Sequence, residues 1–333
     1  MAKSTRHQHI VPRAYLRGFA DAGNQVVVWR RGQQSEQRLH ISNVAVRKDF
    51  YNFSMPSGAK SDALESWLGQ AIESPAAPLL KALRTTTGPL DVATSDSTVL
   101  ARFVAAQLLR TPTVAGHMRD IDDHLRPLLH TLEILRAAGL SAADLTAAEM
   151  AEWQAAGSRM AQAHTAAGGE NSRLRTIMRT FDGFATALGG RRWSVLATSD
   201  HLLITGDAPV VTLSPFETGW RGLLPPGAPV LMPITPSRLL VGEEHPLSKE
   251  HILRPEFAFA VNRQIAVNAD DAIIKAPGTD WPTYLSLAPA RPRLPSPKIT
   301  MNPSAGVPQQ ITYPAISDPA VSDLLQQLDA DAE

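Results

Sequence analysis

The sequence predicts an α+β fold, with a helical middle region packed on a small, mostly antiparallel sheet contributed by the N-terminal and C-terminal segments. Three observations carry this. Residues 25–30, QVVVWR, and 37–46 have the β-branched content of strands. From about residue 61 to 190 the apolar spacing turns helical. After Gly189-Gly190 strand signals return. Segregated strands and helices favour α+β over a doubly wound sheet.

Residues 7–20 begin extended, and Pro12 suits the first turn of a short helix that puts Tyr15, Leu16 and Phe19 on one face. Lys48 to Phe53 closes a β-rich region over 7–60. Leu64, Trp67, Leu68, Ala71 and Ile72 form an apolar stripe, with Ser61 as N-cap and Pro75 as terminator, followed by a short helix over 76–84. Helices are expected over 96–111, 118–138, from Ser141 (capped with Asp144) to about 166, and over 171–188, with Gly168-Gly169 as a break. Residues 191–275 read as strands at 193–196, 201–205, 230–232 and 239–241 and then a helix over 249–275. The expected organisation is one elaborated domain over 1–275 and a Pro-rich extension over 276–333 with a short acidic helix near 319–329.

The chain has 333 residues and no cysteine, which removes disulfides, thiolate nucleophiles and Cys-type metal sites. The basic and acidic residues balance at 32 each, and this does not favour a dedicated nucleic-acid binder. The balance is uneven along the chain: residues 1–60 hold ten Lys/Arg against three Asp/Glu, and 316–333 hold five acids. No apolar run is long enough for a membrane span, and the first residues lack an apolar leader, so a cytoplasmic protein is expected. Gly-rich phosphate loops, dinucleotide fingerprints and G-x-S-x-G elbows do not occur.

Several blocks recur in an ordered set. His9-Ile10-Val11-Pro12-Arg13-Ala14-Tyr15-Leu16-Arg17-Gly18-Phe19 fits H-x-x-P-x-x-Y-L-x-x-F. Asp49-Phe50-Tyr51, the glutamates Glu65 and Glu73, Gln107-Leu108-Leu109-Arg110-Thr111-Pro112, Thr205-Gly206-Asp207-Ala208-Pro209-Val210 and Phe257 to Asn262 follow in order. Together they resemble the bacterial domain-of-unknown-function family 4238, over about residues 7–275. Gly206 and Ala208 depart from the Ser and Asn of that family's pattern. The resemblance implies homology and no particular chemistry.

The strongest physical anomaly lies in the helix after Ser95. On a wheel of about 100° per residue, Gln107 and Arg110 fall on the same face as Val99 and Phe103. A buried guanidinium needs a partner and a buried amide needs hydrogen bonds. Two readings fit: a structural polar bridge, or a clamp for a carboxylate or phosphate. On the same wheel Glu65 sits beside the apolar edge of its stripe and Glu73 on the polar side, so Glu65 is the expected partner of Arg110 and Glu73 an expected surface charge. His7 and His9 share one side of an extended segment and could reach one divalent metal with Glu65 or Asp207. A second His/Asp group, His117, Asp120, Asp122, Asp123 and His124, reads more simply as a solvated face.

The expected polar site is His9, Glu65, Arg110 and Asp207 in catalytic roles, with Arg13, Tyr15, Tyr51 and Gln107 binding substrate. Two functions compete: a hydrolase or nuclease acting on an anionic, phosphate-bearing or carboxylate substrate, and a non-catalytic module for an anionic ligand or a protein, with the same residues structural.

Overall fold

The computed structural model describes residues 7–54, 60–90, 94–200, 202–213, 224, 227–244, 251–285, 287, 298–301 and 308–312. The acidic helix expected near 319–329 lies outside them.

Strand β1 (His7–His9) leads into α1 (Arg13–Leu16), then β2 (Gln25–Arg30), β3 (Gln37–His40), β4 (Val46–Lys48), β5 (Phe53–Ser54) and β6 (Lys60–Ser61). The helical region holds α2 (Ala63–Trp67), a π-helical turn (Leu68–Glu73), α3 (Ser74–Leu83), the short β7 (Gly88–Pro89), α4 (Thr94–Leu109), α5 (Pro112–Ala137) and α6 (Ala147–Gly189). There follow β8 (Arg192–Ala197), β9 (Thr205–Gly206), β10 (Val211–Thr212), β11 (Val230–Thr235), β12 (Arg238–Glu243), α7 (Pro255–Asn268), β13 (Ala272–Lys275), β14 (Lys298–Met301) and β15 (Pro308–Thr312).

Where one small sheet was expected there are two larger ones. A four-stranded sheet, ordered β3-β2-β13-β9, joins both ends of the domain. A five-stranded sheet, ordered β10-β11-β12-β8-β7, comes mostly from the later segment. Each strand pair is antiparallel. The core follows the two-residue period of the strands. Val195, Leu240, Met232 and Ile274 enter the larger core with α2–α6. Leu196, Leu239, Leu231 and Ile273 face the second core, under α7. Both faces of these strands are therefore covered, which explains their continuous apolar runs.

Several expected boundaries move. The run 249–275 is not one helix: the Ile273-Ile274 pair belongs to β13, which pairs with β2. Residues 37–46 split into β3, a 3-10 turn (Ile41–Asn43) and β4. The helices expected on either side of Gly168-Gly169 are one, since α6 runs 43 residues through that pair. Glycine costs about 1 kcal/mol per residue in a helix, and the packing of α6 on α4 and α5 outweighs it. One glycine of α6 is required: a Cβ at Gly157 would stand 2.2 Å from Thr131 Oγ1, so the two helices close here on a bare backbone. The capping box is Thr146 with Glu149, not Ser141 with Asp144, which opens only a 3-10 turn.

Tyr15 fastens α1 to both sheets. Its hydroxyl donates to Pro233 O of β11 at 2.5 Å and lies 2.7 Å from Thr205 Oγ1 of β9. The register irregularity between Pro233 and Thr235 accompanies this contact on β11. Gly18 follows from the same docking, because a Cβ there would stand 2.0 Å from Ile234 O. Tyr15→Phe leaves a buried carbonyl and hydroxyl without their partner, so we expect it to lower unfolding free energy by about 1–3 kcal/mol, read by urea denaturation; an unchanged midpoint and slope would show that the hydroxyl does not clasp the sheets.

Candidate functional site

β1 pairs with β4, Gln8 opposite Arg47 and His9 opposite Val46. Alternation along the strand puts Gln8 inward, 0% exposed, while His7 is exposed and His9 half-buried. Gln8 Nε2 donates to Asn52 Oδ1 at 2.7 Å and to Glu65 Oε2 at 2.8 Å, and Gln8 Oε1 accepts from the Tyr51 amide at 2.6 Å. Sequence reasoning missed this residue. The period-two argument that placed both histidines on one side already put Gln8 on the other.

Behind it, α4 is buried on nearly every side, and Arg110 continues its course, since the Arg110 amide bonds Ala106 O at 3.1 Å. Thr111 then caps α5, its Oγ1 accepting from the Val114 amide at 3.2 Å, with Pro112 at the first position. The Q-x-x-R-T-P block is thus a corner between two helices, with its two polar side chains turned inward. Gln107 is 0% and Arg110 1% exposed.

The partner of Arg110 is Glu73, whose Oε1 accepts from Arg110 Nη1 at 2.6 Å. This reverses the expectation that Glu65 would pair with Arg110 and Glu73 would be a surface charge. The cause is the π-turn, Leu68–Glu73, which inserts a wider turn between the two glutamates. An extra residue rotates everything beyond it by about 100°, so Glu73 moves from the polar side to the face that carries Glu65. Neither Pro75 nor Gly69 stops the chain there; α3 continues directly from the turn.

His9 lies within electrostatic reach of Arg13, Glu73 and Arg110. Burial first, then the Arg13 charge, hold its pKa below the usual 6.5, against an opposing hydrogen bond with the Val44 backbone. The ring is therefore neutral at pH 7, and its Nδ1 is buried without a partner among the described residues. Glu65 is pushed upward by burial, with Asp62 and Glu73 adding to this and the Gln8 bond opposing it. Arg13 is exposed at the rim. The structure thus joins Gln8 to Glu65 and Arg110 to Glu73, brings His9 within electrostatic reach of Arg13, Glu73 and Arg110, and places Gln107 three residues before Arg110 on the same helical course.

Of the remaining expected site residues, Tyr51 meets this group at Gln8, and Tyr15 and Asp207 bond elsewhere. Tyr15 is buried in the sheet clasp, and its pKa is raised by burial. Tyr51 is 1% exposed, packs edge-on against Phe50 and offers its backbone to Gln8. Asp207 accepts from three backbone amides: Asp270 on Oδ1 at 2.8 Å, and Asp271 and Ala272 on Oδ2 at 2.8 and 3.3 Å. It ties the end of α7 to β13 and lines a small cavity with Ile10, Val46 and Arg30. Among the described contacts it shares none with His9, Glu73 or Arg110. The departures from the family pattern beside it fit close packing: a Cβ at Gly206 would stand 3.1 Å from Ala272 O, and Ala208 is buried. Asn262, which ends the last family block, binds the Ile204 amide and Leu202 O, holding the approach to β9 against α7.

Among the described residues no three His, Asp or Glu side chains come together as a metal-binding group. His9 has Arg13 and Arg110 around it instead, and two cations suit an anion. The His/Asp group at 117–124 falls within α5, outside the described side chains. No helix among the described residues is long and apolar enough to cross a membrane.

Fold and site together define an α+β protein with two antiparallel sheets, a buried arginine–glutamate pair and a half-buried neutral histidine beside it. The chain belongs to the family described as Protein of unknown function (DUF4238), whose model matches residues 7–279. No curated protein and no solved structure matches it.

Two predictions test this geometry. Glu73→Gln strands the buried Arg110 charge and should cost about 3 kcal/mol, the low end for a broken buried pair because water reaches Glu73, whereas Glu65→Gln should cost about 1 kcal/mol. Denaturation curves giving the opposite order would return Glu65 to the arginine. For Asp207, burial and the neighbouring Asp270 raise the pKa from 3.8 to about 6, over the lowering effect of the amides. The folded state therefore holds its proton more tightly than the unfolded chain, and stability from this group is lost as pH rises through about 6. The wild-type stability minus that of Asp207→Asn should fall by on the order of 3 kcal/mol between pH 4 and pH 7; a difference that is flat or rises would show an ordinary carboxylate.

Proposed function

We propose that the protein is a hydrolase of an anionic substrate, working from the His9–Glu65–Arg110 group. The observation that carries this reading is the half-spent arginine: Arg110 gives Nη1 to Glu73, while its Nε and Nη2 are buried with no partner among the described residues. A buried guanidinium with unspent N–H groups strongly stabilises negative charge, whether on a bound anion or on an oxygen gaining charge during reaction. His9 supplies the base, being neutral at pH 7 with a free Nδ1 to take a proton from water. Glu65, which keeps its proton further up the pH scale than a surface carboxylate, returns a proton to the leaving group. Arg13 and Glu73 stand at the solvent side, where a substrate enters.

A base whose pKa lies below 6.5 and an acid whose pKa lies above 4.5 place the optimum on the acid side of neutrality. Release of p-nitrophenol or p-nitroaniline from phosphodiester, phosphomonoester, carboxylate-bearing ester and N-acyl-amino-acid anilide probes, followed from pH 4 to 8, tests this. Turnover with that optimum, falling at least about 100-fold in His9→Ala, is expected. Turnover that His9→Ala leaves unchanged, or no turnover on any probe, would end the reading.

The near-complete burial of Gln107 and Arg110 favours one other reading, a module that binds an anion without transforming it. Saturable binding of an anionic probe with no product formed would select it.

A further inference from the structure

Gln107 limits what the site can hold. Both ends of its side chain, Nε2 and Oε1, are buried with no partner among the described residues. Whichever way the amide is turned, it keeps one unspent donor group and one unspent acceptor. Leaving such groups dry is costly, and buried polar groups in folded proteins are almost always hydrogen-bonded. Arg110 is in the same condition at Nε and Nη2. These two nitrogens form the side edge of the guanidinium, whose parallel N–H bonds match the two oxygens of a carboxylate, and the edge facing Glu73 is the other one. Residues 107 and 110 are three apart on one helical course, so their Cβ atoms stand roughly 5–6 Å apart.

A bare carboxylate satisfies only part of this set. Acetate answers the three kinds of N–H but offers nothing to Gln107 Oε1, and its negative charge is repelled by that oxygen; of the two simple oxyanions only phosphate, through a retained O–H, has a donor for it. The full set calls for two oxygens of an anion with a donor and an acceptor close beside them. A carboxylate next to a peptide-type amide has this arrangement, since successive peptide units repeat every ~3.8 Å.

We infer that the buried Gln107–Arg110 pair binds the carboxylate and adjoining amide of an N-acylated amino acid or a peptide C-terminus, with the carboxylate on the Arg110 side edge and the amide paired with the Gln107 side chain. The inference rests on the anion-binding reading of Arg110 and specifies its ligand. The amide so held is also the bond that hydrolysis would break, with His9 and Glu65 to hand, through attack of water on the amide carbonyl to give a carboxylic acid and a free amine.

Isothermal titration of the full chain with N-acetylglycine, acetate and inorganic phosphate tests it. N-acetylglycine should bind at least about tenfold more tightly than acetate. Gln107→Leu, or Gln107→Met should the leucine variant misfold by circular dichroism, should bring the two to equal affinity. Arg110→Lys, which keeps the charge without the fork, should weaken both. N-acetylglycine bound no better than acetate, or a preference that survives both Gln107 variants, overturns the inference; if phosphate still binds and a phosphate ester is turned over, the hydrolase reading stands without it. N-acetylglycine bound as expected with no amide cleaved upholds the inference and removes the hydrolase. Failure of all three probes to bind overturns both.

Discussion

The buried ion pair between Arg110 and Glu73 is the constraint around which the rest of the site is arranged. An arginine at the end of a helix packed on nearly every side cannot discharge its charge into water, so a carboxylate must be brought to it. The helix opposite could deliver one only by departing from α-helical phase. The π-turn over Leu68–Glu73 does this, and it packs directly against α4. That turn places Glu73 on the same face as Glu65, whose Oε2 accepts from Gln8, so the N-terminal strand meets the site there. His9 then follows from strand alternation, half-buried between two arginines, and neutral for that reason.

The scaffold behind the site is held by single polar side chains at its seams. Tyr15 ties α1 to one strand of each sheet. Asp207 gathers three successive amides where α7 gives way to β13. Asn262 holds Leu202 and Ile204 against α7. Each is buried, and each spends hydrogen bonds on backbone groups of another segment. This contrasts with Gln107, equally buried, whose side chain is unspent. The difference sets Gln107 apart from the family-pattern residues that maintain the fold.

The sequence by itself determined the α+β class, the helical middle, the family pattern and the anomaly of Gln107 and Arg110, because these depend on local period and composition. It showed that Arg110 needed a partner. Only the tertiary structure decided which: the wheel that favoured Glu65 assumed a uniform α-helix, and one π-turn, packed against α4, rotated Glu73 into place. The same reason explains the other differences. Gly168-Gly169 reads as a break until neighbouring helices support it, and Ile273-Ile274 reads as helix until β2 offers a strand to pair with. Tyr15 and Asp207 stand out in sequence as strongly as His9, and only long-range contacts, with residues 190 and 63 positions away, show that their polar atoms are already spent on the fold.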